Sequence, residues 1–296
     1  MASSSSSAAP AVLKLHQYGA RWELPSFDPF CLSAQAYMRL AGVTFEEVPS
    51  NNPDVSPTSN LPLVQLGDDY VAGTNAIFTY VGNKTGKSLD SALNAEQKAT
   101  AAAFIHLIET KLHPTLLYNW WAEKQNMGQT LVLPHFNSMV FPLGYVLPRL
   151  KQRNVQSYLY TLNLTQDEKV YNDAEECYAA LADFLGDKHF FFGDSPSSLD
   201  AVAFGHLAIH LVAPQSHKLR SRLLQHKNLE AFCKRVMTLY LGQDFPAIPA
   251  PPPATEDKDQ KQEMSQHKKT GMYLLTGAGL LILLHYLTKQ HQAAHQ

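Results

Sequence analysis

Between Leu13 and Tyr18 apolar and polar residues alternate, the pattern of a strand with one covered face. A loop holding Pro25 and Pro29 follows, and Cys31 to Leu40 then reads as a helix closed by Gly42, with Phe45–Val48 as a second strand. Pro49, Pro53 and Pro57 fill the next loop. Leu63–Leu66 and Tyr70–Ala72, set around Gly67-Asp68-Asp69, predict a hairpin. Thr74 is placed to cap a helix of Ala76, Ile77, Tyr80 and Val81 that ends near Gly82 or Gly86.

Beyond residue 92 the spacing becomes helical. Asn94 with Gln97 forms a capping pattern ahead of Ala101, Phe104, Ile105, Ile108 and Leu112. The adjacent Trp120 and Trp121 read as packing between helices or as a partner surface in preference to a cofactor platform. Thr165-Gln166-Asp167-Glu168 is a full capping box, and Val170, Ala174, Cys177, Tyr178, Leu181, Phe184 and Leu185 line one face up to Gly186. An aromatic run then closes on Gly193 and Pro196, and Ser197 stands three residues ahead of Asp200. That is a serine cap with a carboxylate reaching back, before the apolar series Leu199, Val202, Ala203, Leu207 and Ile209. Leu223, Leu229, Phe232, Val236 and Leu239 predict a last helix. Residues 128–147 mix polarities and show no period. The fold class is therefore α/β plus all-α, with a thioredoxin-like domain at 12–86 and a helical domain at 93–243. A low-complexity lead at 1–11 reads as disordered.

The tail has its own pattern. A Pro-rich, then charged linker at 244–270 leads to an apolar stretch at 271–288. Its apolar members are Tyr273, Leu274, Leu275, Leu280, Leu281, Ile282, Leu283, Leu284, Tyr286 and Leu287. At about 1.5 Å per residue this helix would be roughly 27 Å long, just enough to cross the hydrocarbon layer. Lys268, Lys269 and Lys289 flank it, and the two tyrosines lie near its ends. The expectation is a transmembrane tail anchor inserted after synthesis, with the bulk of the chain in the cytosol. The short span and basic flanks suit the outer mitochondrial membrane; a peroxisomal or endoplasmic reticulum address stays open.

Composition narrows the function. The chain has 296 residues, 45% hydrophobic and 17% charged, with a net charge of −2, which gives no electrostatic case for nucleic acid. Its three cysteines, Cys31, Cys177 and Cys233, show neither metal nor disulfide spacing and suit a reducing compartment. The first residues resemble neither a secretory signal nor a cleaved presequence. His206 and His210 share one helix side without a third ligand, and read as core or polar-surface residues. No hydrolase elbow, P-loop or dinucleotide-binding glycine pattern is present.

Ser197 and Asp200 after the Gly193 turn resemble the capping box of the central helix in glutathione transferases. The fuller run, Phe190 to Gly193 with Asp194 and Leu199 to Ala201, is more similar to metaxins, transferase-like proteins of the mitochondrial outer membrane. Leu15-His16-Gln17, Leu24-Pro25-Ser26 and Cys31-Leu32 agree, and the resemblance spans roughly Leu13 to Tyr240. It implies a cis bond at Pro62 in Leu61-Pro62-Leu63-Val64, beside the ligand corner. It also marks what has changed. Asp28 stands where a glutaredoxin-like pattern has its reactive cysteine, and Cys31 takes the resolving position with nothing to resolve. The acid that precedes the glutathione-gripping hydroxyl is replaced, leaving Gly73-Thr74-Asn75. Tyr18, near the end of the first strand, is a weak candidate for a thiol-activating tyrosine.

The resemblance thus implies a non-enzymatic subunit of the outer-membrane sorting and assembly machinery, acting in protein import and β-barrel assembly. Its expected partners are other metaxin-like and β-barrel assembly subunits and the membrane, with no cofactor and no small-molecule substrate. The competing readings are a membrane-tethered glutathione transferase and an adaptor of another organelle.

Overall fold

A computed structural model describes residues 12–50, 55–123, 126 and 143–250. The apolar stretch at 271–288, with all its anchor residues, lies outside them. Among the described residues no helix is long and apolar enough to cross a membrane.

The first part is a four-stranded sheet in the order β2-β1-β3-β4. β1 (Lys14–Gln17) pairs in parallel with β2 (Glu46–Pro49) and antiparallel with β3 (Leu63–Leu66), which forms a hairpin with β4 (Asp69–Ala72). Leu13, Leu15 and Gln17 are buried and alternate with the half-buried Lys14 and His16, so the period-two pattern sets which face meets the helices. The parallel pairing needs a crossover, and α1 (Pro29–Leu40) supplies it. α1 ends with Gly42 at φ 63°, where Gly42 N donates to Arg39 O and Val43 N to Met38 O. That is the paired bonding of a Schellman stop. α2 (Thr74–Thr85) follows β4. Its cap residue is Gly73 rather than Thr74, which lies one position inside the helix.

The second part is helical. α3 (Ala95–Leu107) carries the expected reciprocal cap: Gln97 N donates to Asn94 Oδ1 at 2.8 Å, and Asn94 N to Gln97 Oε1 at 3.0 Å. It runs through a π-turn (Ile108–Leu112) into α4 (His113–Trp121). Pro114 has no N–H to continue the ladder, and His113 N bonds back to Ile108 instead. α5 (Leu143–Thr161) begins in the stretch that showed no period and has Pro148 inside it. α6 (Asp167–Leu185) starts at Gln166 without a side-chain cap, so the Thr165 box does not form. Asp167 is instead drawn to Tyr118 and to Lys218, its contact with Lys218 Nζ being 3.0 Å. The predicted inner face of α6 is buried except at Phe184, which is half-buried.

α7 (Ser198–Val212) is the central element, and every residue in it is buried. A short 3-10 turn (Pro214–Ser216) leads to α8 (His217–Leu223) and α9 (Lys227–Tyr240). Leu239 of α9, expected inside, is 63% exposed. The chain stays on the body beyond α9, since Phe245 and Ile248 pack against the core and Arg220 Nη1 donates to Pro249 O at 3.0 Å. The linker boundary expected at 244 falls within this packed stretch.

A helix buried along its length must satisfy both ends internally. Asp200 Oδ2 accepts from Ser197 N at 2.8 Å and Ser197 Oγ at 2.6 Å, and its Oδ1 accepts from Phe191 N at 3.0 Å. Asp90, from the segment joining the two parts, accepts from Ser198 N at 2.8 Å and Ser198 Oγ at 2.6 Å. At the other end the buried Arg220 donates to Leu211 O and Ala213 O, both at 2.6 Å. Carboxylates at the N-terminus and a guanidinium at the C-terminus oppose the helix dipole.

α1 crosses α7 at Gly205. A Cβ there would press on Ser33 Oγ and lie 2.5 Å from Pro29 O and 2.8 Å from Ser33 N. The two backbones meet at a distance only glycine permits, and one apolar core runs through both parts. Replacing Gly205 with Ala is expected to lower stability by about 1–3 kcal/mol through overpacking. Urea unfolding checks this against Gly19→Ala, where no atom lies within 4 Å and little change is expected.

Candidate functional site

The corner where a thioredoxin-like domain would do thiol chemistry is built from the end of β1, the start of α1, the Leu61–Pro62 turn and the start of α2. The Leu61–Pro62 peptide is cis. Gly73, at φ 89°, places its N–H 3.4 Å from Pro62 O and caps α2 without offering a side-chain oxygen. Thr74 behind it is buried.

Asp28 is the cap of α1. Its Oδ1 accepts from Cys31 N at 2.9 Å, and its own N–H donates to Ser26 Oγ at 3.3 Å. An aspartate in this role adds about 1 kcal/mol to helix stability. Burial pushes its carboxyl up to about 6, against the pull of the Cys31 amide and of Lys151. Cys31 is fully buried beside Leu61 and Leu63, with Tyr18 and Ala72 packed on the same cluster. Burial, and after it the charge of Asp28, holds the thiol well above its usual range. Low dielectric and a neighbouring anion both disfavour the thiolate, which is the opposite of what a catalytic cysteine needs. Tyr18 stacks on Phe27 at 5.2 Å and is half-buried. The other two cysteines are core residues as well, with burial raising Cys177 to about 12 and Cys233 beyond it.

The family model described as an outer mitochondrial membrane transport complex protein matches residues 31–152, and one for the C-terminal domain of glutathione S-transferase matches residues 174–236. Among solved structures, a glutathione transferase from Phanerochaete chrysosporium aligns with a TM-score of 0.54 at 16% identity, covering 77% of this chain and 97% of that one. A glutathione S-transferase from Methylobacterium radiotolerans, solved with glutathione sulfonate, aligns at 0.51 and 15%, covering 82% and 99%. These likenesses establish a transferase-like fold. Mouse metaxin-1 is 32% identical over 282 residues, covering 92% of this chain and 89% of that protein. The chain belongs to the metaxin family. Metaxin-3 of Xenopus laevis is 32% identical over 245 residues, covering 79% of this chain and 78% of that protein. Mouse metaxin-2 is 29% identical over 214, covering 71% and 81%.

Behind the corner this metaxin-family chain buries a second polar group that sequence spacing did not reveal. His206 and His210 of α7 are joined by His113, whose ring lies 6.2 Å from that of His206, with Phe30 packed on both at 4.7 and 5.3 Å. His206 Nδ1 donates to Val202 O at 3.1 Å, and His210 Nδ1 pairs with Tyr178 OH at 2.6 Å. His113 Nδ1, His206 Nε2 and His210 Nε2 have no hydrogen-bond partner. Among the described residues no group of three or more His, Cys, Asp or Glu is arranged to hold a metal ion. Burial lowers His113 and His210 to about 3 and His206 to about 4, so all three are neutral at physiological pH. Only the i,i+4 pair was visible in sequence; His113 stands far away in the chain and is brought in by the π-turn.

Of the residues singled out from sequence, Ser197 and Asp200 work on the helix scaffold, and Pro62 with Asp28 and Cys31 forms the corner. Two residues the sequence did not single out complete the scaffold. Asp90 and Arg220 reach the ends of α7 from distant segments, which no local motif announces.

Two outcomes are expected. First, a thiol reagent should leave all three cysteines unmodified in the native protein and label them on denaturation, read by intact mass. Second, stability should fall with acid. The three imidazoles contribute stability that is complete above pH 6.5 and is lost as pH drops towards 3–4, because the unfolded chain takes up protons the folded chain refuses. Asp28 and Asp200, both raised to about 6, act oppositely, favouring the folded state as pH falls through 6 towards 3.8. Three groups with the larger shifts outweigh two, so the urea midpoint should drop between pH 7 and pH 5.

Proposed function

We propose that this protein is a non-enzymatic component of the mitochondrial outer membrane that acts in protein import as a docking body for the sorting and assembly of β-barrel precursors. The observation that carries this reading is the state of the corner. Among the described residues the corner's one thiol, Cys31, is buried, destabilised as a thiolate and set beside a carboxylate, while the sheet and helices around it are retained. A transferase frame without an accessible nucleophile retains shape and surface as its useful properties. The matched family description and the metaxin-1, metaxin-2 and metaxin-3 relatives supply the membrane and the transport role.

The partners in this reading are other metaxin-like chains and β-barrel assembly subunits, with no cofactor, nucleic acid or small-molecule substrate. Residues 271–288 hold the protein in the membrane as a tail anchor, and the folded body faces the cytosol. The chain should resist carbonate extraction from mitochondria and be digested by protease added outside. Deleting 271–296 should release it, and proximity labelling from the intact chain should mark β-barrel assembly subunits that the deletion no longer reaches. Retention on glutathione resin together with conjugation of an electrophile, abolished by changing Tyr18 or Cys31, would instead identify a membrane-tethered glutathione transferase.

A further inference from the structure

A cavity of about 410 Å³ opens between α2 and α3. The buried Phe78 and Ile105 form its floor, and the exposed Asn75 and Thr79 line it from α2. Along α3 and the π-turn after it, Lys98, Ala102, Ile105 and Glu109 recur at four-, three- and four-residue steps. That is the spacing of one helix side, and all four line the same cavity. At about 1.5 Å per residue, the cation and the carboxylate stand roughly 16 Å apart at the two ends of this line.

Neither charge is paired within its own chain. Among the described residues, the side chains of Lys98 and Glu109 make no ion pair and no hydrogen bond, whereas Lys111, two residues further on, is held by Asp173 at 2.8 Å. The cavity's other carboxylate, Asp90, already accepts from Ser198 N and Ser198 Oγ. Glu109 is half-buried, and loss of water raises its carboxyl above the usual range against a weaker pull from His106. A carboxylate partly withdrawn from water calls for a cation that this chain does not bring to it.

The pattern is complementary to itself. Turning a second α3 end over end sets its Lys98 opposite Glu109 and its Glu109 opposite Lys98. Ala102 then meets Ile105 near the middle, where the exposed Ala102 leaves room for the approach of another helix. One cation and one anion thus make two bridges, and the arrangement closes at two copies. A partner of uniform charge would satisfy one end and oppose the other.

We infer that the groove between α2 and α3 is where a second copy of this chain docks, the two α3 helices lying antiparallel with Lys98 of each chain paired to Glu109 of the other. The pairing depends neither on the import role nor on the tail anchor.

The test uses the full-length chain in detergent micelles, with the mass of the protein component read by light scattering over a concentration series. Two chains are expected at the upper end. Lys98→Glu sets like charges face to face at both ends, as does Glu109→Lys, and each should weaken the pairing by about tenfold or more. Combining Lys98→Glu with Glu109→Lys restores opposite charges and should recover it, an outcome that a damaged fold cannot give. Ala102→Cys lies beside the two-fold axis and should form a disulfide between chains under mild oxidation, because the native cysteines are buried. Leu239→Cys, 63% exposed on α9, should not. A one-chain mass at every concentration overturns the inference. So does a pair that both single reversals leave unchanged, since its contact then lies elsewhere. A complex that forms only with another metaxin-like chain, or a small molecule retained by the single chain in native mass spectrometry and lost with Glu109→Gln, overturns it by giving the groove a different occupant.

Discussion

The contact on which the rest depends is the crossing of α1 over α7 at Gly205, where the two backbones approach too closely for any side chain. α1 belongs to the sheet part and α7 to the helical part, so this crossing, rather than the linking segment, makes one body of two folding patterns. It requires α7 to be buried along its whole length, and that in turn requires its ends to be answered from within. Asp200 and Asp90 answer one end and Arg220 the other. Asp90 lies in the connection between the parts, so the joint is fastened by the same helix it serves.

The crossing also determines what the corner can do. The first turns of α1 meet α7 at Gly205, where Pro29 O and Ser33 lie against it, and Cys31 is fully buried beside them. Electrostatics follow from this. A carboxylate and a thiol buried side by side resist losing protons, and the neighbouring imidazoles stay neutral for the same reason. The features that stabilise the body therefore also disfavour a thiolate at Cys31.

Legibility in sequence divided along physical lines. Strands and helices whose burial follows one period were readable, as Leu13, Leu15 and Gln17 in β1 and the inner face of α6 show. The cap at Asn94 was readable because both partners are local. Thr74 and Thr165 satisfy the same local rule but do not cap, because Gly73 takes the first turn of α2 and Asp167 is claimed by Tyr118 and Lys218 from other helices. α5 was hidden by Pro148 and by a one-sided anchor too sparse to set a period. The π-turn was hidden because Ile108 and Leu112 fit an ordinary helix equally well. At the corner, Asp28 and Cys31 were legible as altered chemistry. Their burial, and the arrival of Lys151 and His113 beside them, depend on contacts across the two parts and left no local trace.

Native-state hydrogen exchange tests most directly whether the crossing unites the molecule. The amides of α1 from Leu32 to Met38 and of α7 from Ala203 to Leu211 should exchange only through global unfolding, with one shared free energy and one denaturant dependence. If α1 exchanges through a lower-energy opening that leaves α7 protected, the sheet part is a separate unit, the corner opens, and the account is wrong.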